Sequence, residues 1–153
     1  MDNFDKIKDE AELKYKEIDT VYCPFLKQDI LFNSRGLDHL KFKRERIARN
    51  KKDQISRFKN LHLVSDIVSR SHTLQGIQET QGFEKIRIHS RTDTKLVKIT
   101  YYEFFAVVAD KRIKVIIKKV QDSSPFFWSV IPYWGKNKNN SERKLHDTNL
   151  VDE

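Results

Sequence analysis

Cysteine occurs once in these 153 residues, at Cys23, so no intrachain disulfide can form and a reducing compartment is expected. Glycine is scarce too: there are four, none at phosphate-loop spacing. No window approaches the roughly 18 apolar residues that a membrane span requires. The opening MDNFDKIKDE has no apolar signal core. Neither a G-x-S-x-G elbow nor an H-E-x-x-H helix is present, and there is no cluster of four Cys/His ligands. Hydrolase-elbow, metalloprotease and structural-zinc readings therefore fall. The expectation is a soluble, cytoplasmic protein with no membrane contact, no metal and no small-molecule cofactor.

Positive charge is what the chain has in excess. The net charge is +8, and the stretch from Arg35 to Arg70 alone carries eleven Lys/Arg against four acids. Within it, seven of the twelve residues from Lys41 to Lys52 are basic, with His39 just upstream. An excess this concentrated suits a polyanion, and nucleic acid is the expected partner. The alternatives are a solvated surface or a contact for an acidic protein.

The patterning predicts α+β architecture, with an N-terminal helical half followed by a twisted antiparallel sheet of three to four strands. Residues 1–20 read as a helical arm, 21–134 as a single domain and 135–153 as a flexible polar tail. A short helix is expected from Leu37 to about Phe42. Asp53 is a candidate cap for a longer helix from Gln54 to about Ser69. SHTLQGIQETQGF, with its glutamines and glycines, reads as a loop. Strands follow at EKIRIHS, KITYYEFFAVVA, RIKVIIKKV and FFWSVIPYW, with RTDTK as a polar connection. Ile113, Val115 and Ile117 share one strand face, opposite Arg112, Lys114, Ile116 and Lys118.

The chemistry available is that of bases, cations and hydroxyls. RNA cleavage through the 2′-hydroxyl needs that set. A base takes one proton, an acid returns one to the 5′-oxygen, and cations stabilise the charge growing on phosphorus oxygens. Glu103 on a mostly apolar strand needs a cation partner or a cleft, and Lys119 is the candidate partner. Trp128 and Trp134 can stack bases or fill the core.

The element order, with the G-x-x-H stretch Gly36 to His39 in FNSRGLDHLKFK and the terminal strand FFWSVIPYW, resembles a nuclease superfamily. It groups barnase, EndoU, the tRNA-cleaving colicins and RelE-type toxins, and the likeness is greatest to its phage-associated members. The resemblance covers residues 28–134. It implies a toxin-like, metal-independent endoribonuclease. Catalytic roles would fall to His39, to Glu103 as a strand-borne base and to Ser129 as the strand hydroxyl. Lys41, Lys43, Arg44, Arg46, Arg57, His72 and Lys119 would bind substrate. The second proton-transfer group stays open among His62, His72 and His89. RNA would be the partner, with an acidic inhibitor or antitoxin protein as a further one. A non-catalytic nucleic-acid-binding module or a protein-binding adaptor would use the same basic tract without cleavage.

Overall fold

A computed structural model describes residues 3–44, 46–108 and 110–132. The expected polar tail and Trp134 lie outside these residues. Helix α1 (Asn3–Ile18) carries Phe4, Ile7, Ala11, Tyr15 and Ile18 at spacings of three and four, one helical face. Ala11 and Tyr15 are buried and the other three pack against the same core. Tyr15 Oη also donates to the Asn33 carbonyl at 2.6 Å. The helix expected as an arm is therefore seated in the body of the domain.

A hairpin follows, β1 (Thr20–Cys23) and β2 (Gln28–Leu31). Asn33 caps α2 (Ser34–Lys41) by accepting from the Gly36 amide. The basic tract forms a small ribbon, β3 (Phe42–Arg44) and β4 (Ile47–Ala48), which turns at Arg46 with φ 66°. Asn50, rather than Asp53, caps α3 (Lys51–Asn60). The long helix expected from Gln54 to Ser69 is broken. Asn60 Nδ2 bonds back to the Ser56 carbonyl, and a tight 3₁₀ turn (Leu61–Leu63) leads to α4 (Val64–Arg70). Such back-bonding competes with the helical ladder and bends it.

The expected sheet of three to four antiparallel strands is corrected: six strands form one mixed sheet, ordered β1-β2-β8-β7-β6-β5. Strands β5 (Gly76–Ile88), β6 (Arg91–Val108), β7 (Lys111–Val120) and β8 (Phe126–Pro132) pair antiparallel. The hairpin β1–β2 extends the sheet through a parallel junction, Leu31 opposite Phe126. That junction joins segments far apart in the chain, which local patterning does not report. The glutamine-rich segment expected as a loop supplies much of β5. Thirteen backbone pairs with β6 override its weak strand propensity. RTDTK, expected as a connection, opens β6 instead. His89 and Ser90 both have positive φ, as a two-residue hairpin turn requires, but neither is the usual glycine or asparagine.

Strand alternation divides the sheet. Phe104, Ile113, Val115, Ile117, Phe127 and Val130 face the helices in the main core. A second apolar cluster on the opposite face contains Val97, Ile99, Tyr101, Ile116, Val120, Phe126 and Trp128.

Candidate nucleic-acid interface

Helix α2 lies against β8 because Gly36 has no side chain. A Cβ there would run into the Phe127 carbonyl and come within 2.7 Å of Tyr15 Oη. Leu37 and Leu40 enter the main core from this position. His39 is carried to the second face, where its ring stacks on Trp128 with centroids 3.8 Å apart and planes 17° from parallel. The tryptophan is placed by a β-bulge. Ile117 opposes Phe127 and Ile116 opposes Ser129, so Trp128 is the extra residue.

A chain of buried polar contacts runs behind His39. Arg49 Nη2 lies 2.9 Å from His39 Nε2, and Arg49 Nε donates to the His39 carbonyl at 2.9 Å. A guanidinium can only donate, so Nε2 is the acceptor and the ring proton sits on Nδ1. The Asp53 carboxylate takes Arg49 at 3.4 Å and Arg57 at 2.8 Å. Arg57 Nη1 then donates to Ser129 Oγ. One acid thus ties two buried arginines to a histidine at one end and a strand hydroxyl at the other.

In front of His39 and Trp128 is an open groove of about 570 Å³. Phe42 completes its aromatic lining, and among the described lining residues Arg35, Lys43, Arg44 and Arg46 supply four cations and Asp38 one acid. Side chains of this kind can hold phosphates by charge and flat rings by stacking.

At the sheet end of the groove, Glu84 of β5 receives two cations. Lys118 Nζ of β7 lies 2.9 Å from its Oε1, and Arg35 Nη2 lies 3.1 and 3.0 Å from the two oxygens. Burial pushes the Glu84 carboxyl up. The Lys118 hydrogen bond and the charges of Lys118 and Arg35 outweigh that and hold it below the usual carboxylate range. Burial pulls the Lys118 ammonium down, and Glu84 offsets only part of the fall. Lys118 Nζ also sits 4.2 Å from the Trp128 ring centroid.

The expected site residues divide into groups. His39, Lys43, Arg44 and Arg46 meet in the groove. Arg57 and Ser129 lie buried behind it. Lys41 turns away to pair with Glu12 of α1 at 2.5 Å. Glu103 is fully buried, and the expected pairing with Lys119 is corrected: its cation is Lys114, 3.5 Å away. Lys119 stands opposite Thr100, which lies three residues from Glu103 and so on the other face of the sheet. It lines a separate cleft with Glu79 and Lys98. His72 is exposed on another loop, in a cleft with Gln75 and Phe105. Neither joins the groove.

Residues that sequence reasoning passed over include Arg49, Asp53, Arg35, Glu84 and Lys118. The signal for Lys118 was present, since it shares with Lys114 the strand face of Glu103. Among the described residues no three of His, Cys, Asp or Glu gather as metal ligands. No helix among them is long and apolar enough to cross a membrane. No family model, curated protein or solved structure matches the chain.

Proposed function

We propose that this chain binds RNA in the groove and acts as a metal-independent endoribonuclease of the barnase, EndoU, colicin and RelE-like kind. One observation carries the reading: four cations surround a histidine stacked on a strand tryptophan, backed by the Arg49–Asp53–Arg57–Ser129 chain. Lys43, Arg44 and Arg46 grip the phosphodiester backbone, whereas Trp128 and Phe42 offer rings to unstacked bases. An acidic inhibitor protein would cover the same cations.

Cleavage would proceed by attack of the 2′-oxygen on phosphorus with loss of the 5′-oxygen. One proton leaves the 2′-hydroxyl and another reaches the leaving oxygen. Neutral His39 can offer Nδ1–H to a phosphate oxygen only as a hydrogen bond. The imidazolium formed when Nε2 takes the 2′-hydroxyl proton is the acid that returns one to the 5′-oxygen. To act as a base it must first exchange the Arg49 contact at Nε2. Arg57 steadies the charge through Ser129.

The burial of Glu103 and Ser129 favours a second reading, a non-catalytic RNA-binding module that uses the groove alone.

Incubation of tRNA and a generic single-stranded RNA with the protein in EDTA tests the division. Cleavage by wild type that disappears in a folded His39→Ala variant supports the nuclease. Salt-dependent binding by both proteins without cleavage leaves the binding module. An absence of both binding and cleavage rejects the two together.

A further inference from the structure

We infer that Arg35 and Lys118 form a phosphate subsite at the sheet end of the groove, and that Glu84 is its displaceable internal occupant. The inference rests on the RNA-binding reading and adds to it a backbone subsite and the group that closes it.

The geometry is that of an anion site already filled. The Lys118 ammonium is almost wholly buried, fixed above Trp128 and aimed at Glu84 Oε1. The Arg35 guanidinium approaches both carboxylate oxygens with one nitrogen while it lies 5.0 Å from the Phe126 ring centroid. Arg35 itself lines the groove, so the subsite is continuous with the cations that follow it. A phosphodiester presents one negative charge, as the carboxylate does, and two non-bridging oxygens at which the two cations can meet. It matches what Glu84 provides and brings further phosphates within reach of Lys43, Arg44 and Arg46.

The occupant sits on a segment that can leave. Strand β7 pairs with β6 only from Ile99 onward, so the pairs from Gly82–Val97 to Ile88–Arg91 have no third strand among the described residues. Phe83 and Leu96 on that ribbon are 74% and 56% exposed. Among the described residues, Val97 and Ile86 join Glu84 in tying the ribbon down, Val97 at its root as a buried member of the second apolar cluster and Ile86 by packing against it. The Arg35 side chain is 44% exposed, which makes its half of the contact cheap to exchange in water. An incoming phosphate therefore takes over two cations, and the ribbon end of β5–β6 lifts.

The test measures anisotropy of a labelled single-stranded RNA over a salt series, with wild type and Glu84→Gln. The variant should bind several-fold tighter, and its log–log salt slope should steepen by about 0.7, one phosphate on a single strand. Inorganic pyrophosphate should raise the melting temperature of Glu84→Gln more than that of wild type. A folded variant with unchanged affinity, slope and pyrophosphate response overturns the subsite. Failure of both proteins to bind RNA, with the pyrophosphate difference intact, instead removes the RNA reading and keeps the anion site. Should Glu84→Gln not fold, amide exchange in wild type decides: pyrophosphate should speed exchange over residues 82–97, and unaltered exchange there overturns the proposal.

Discussion

Arg49 donates to His39 Nε2 at 2.9 Å while its Nε holds the carbonyl of the same histidine. This double contact fixes the ring orientation and the tautomer together. Long-range ¹⁵N–¹H correlation of the imidazole should show a proton on Nδ1 and none on Nε2. A protonated Nε2 at neutral pH would contradict the assigned donor. Arg49→Ala leaves Asp53 and the His39 carbonyl short of a buried cation, so the loss should be about 3 kcal/mol in urea unfolding.

Among the charge contacts of the described residues, Glu103–Lys114 is deeply enclosed, with both side chains almost wholly buried. Removing one partner strands the other in the core, and either Glu103→Leu or Lys114→Met alone should cost roughly 3–5 kcal/mol. The double variant should recover most of that loss, because two matched apolar residues replace two matched charges. Additive losses in the cycle would mean that each residue is held by something other than its partner. If the recovered double variant still cleaves RNA, Glu103 is not the base.

Much of the groove was readable along the chain, because three of its four cations fall within the four residues Lys43 to Arg46. The Arg35–Arg70 excess and His39 pointed to the surface on which the groove lies. Arg49 could not be separated from its basic neighbours, since only the fold of α3 against α2 buries that one and leaves Lys43 in water. The alternation of β7 was legible because it is local. The joining of β2 to β8 was not, because a single residue pair makes it across the whole length of the domain. Likewise only the Glu84–Ile88 half of β5 read as a strand, because glutamines masked the half before it and the hairpin turn after it has no glycine. Its Glu84 became visible only where the ribbon meets Lys118 and Arg35.

Gly36 lets α2 and β8 touch. A methyl group there meets backbone at the Phe127 carbonyl, and neither helix nor strand can yield without moving Leu37, Leu40 or Trp128. Gly36→Ala should lower stability by about 3 kcal/mol, read as a fall in the urea midpoint. The His39–Trp128 stack should loosen with it, as a shift in tryptophan emission. A near-neutral change would show that α2 is not held at this distance.

Acid should weaken the domain through Glu84. Its folded carboxyl titrates below the usual carboxylate range, so its stabilising contribution is complete above the unfolded value. That contribution is lost as pH falls through the lower folded value. Urea midpoints taken from pH 7 down to pH 3 should fall more steeply for wild type than for Glu84→Gln, which has no such proton to gain. Parallel curves would mean that the carboxylate gains nothing from Lys118 and Arg35 on folding.

The proposed division between grip and chemistry can be tested on the exposed side of the groove. Lys43, Arg44 and Arg46 stand on the β3–β4 ribbon with their side chains toward water, so changing all three to Ala should leave the melting temperature nearly unchanged. The same variant should bind the proposed RNA more weakly whatever its sequence. Its salt slope should be shallower by roughly 2, since three phosphate contacts on a single strand are removed. His39→Ala should retain the wild-type slope and lose cleavage. Equal loss of affinity in the two variants would mean that His39 belongs to the grip, and that the buried chain behind it only supports the groove.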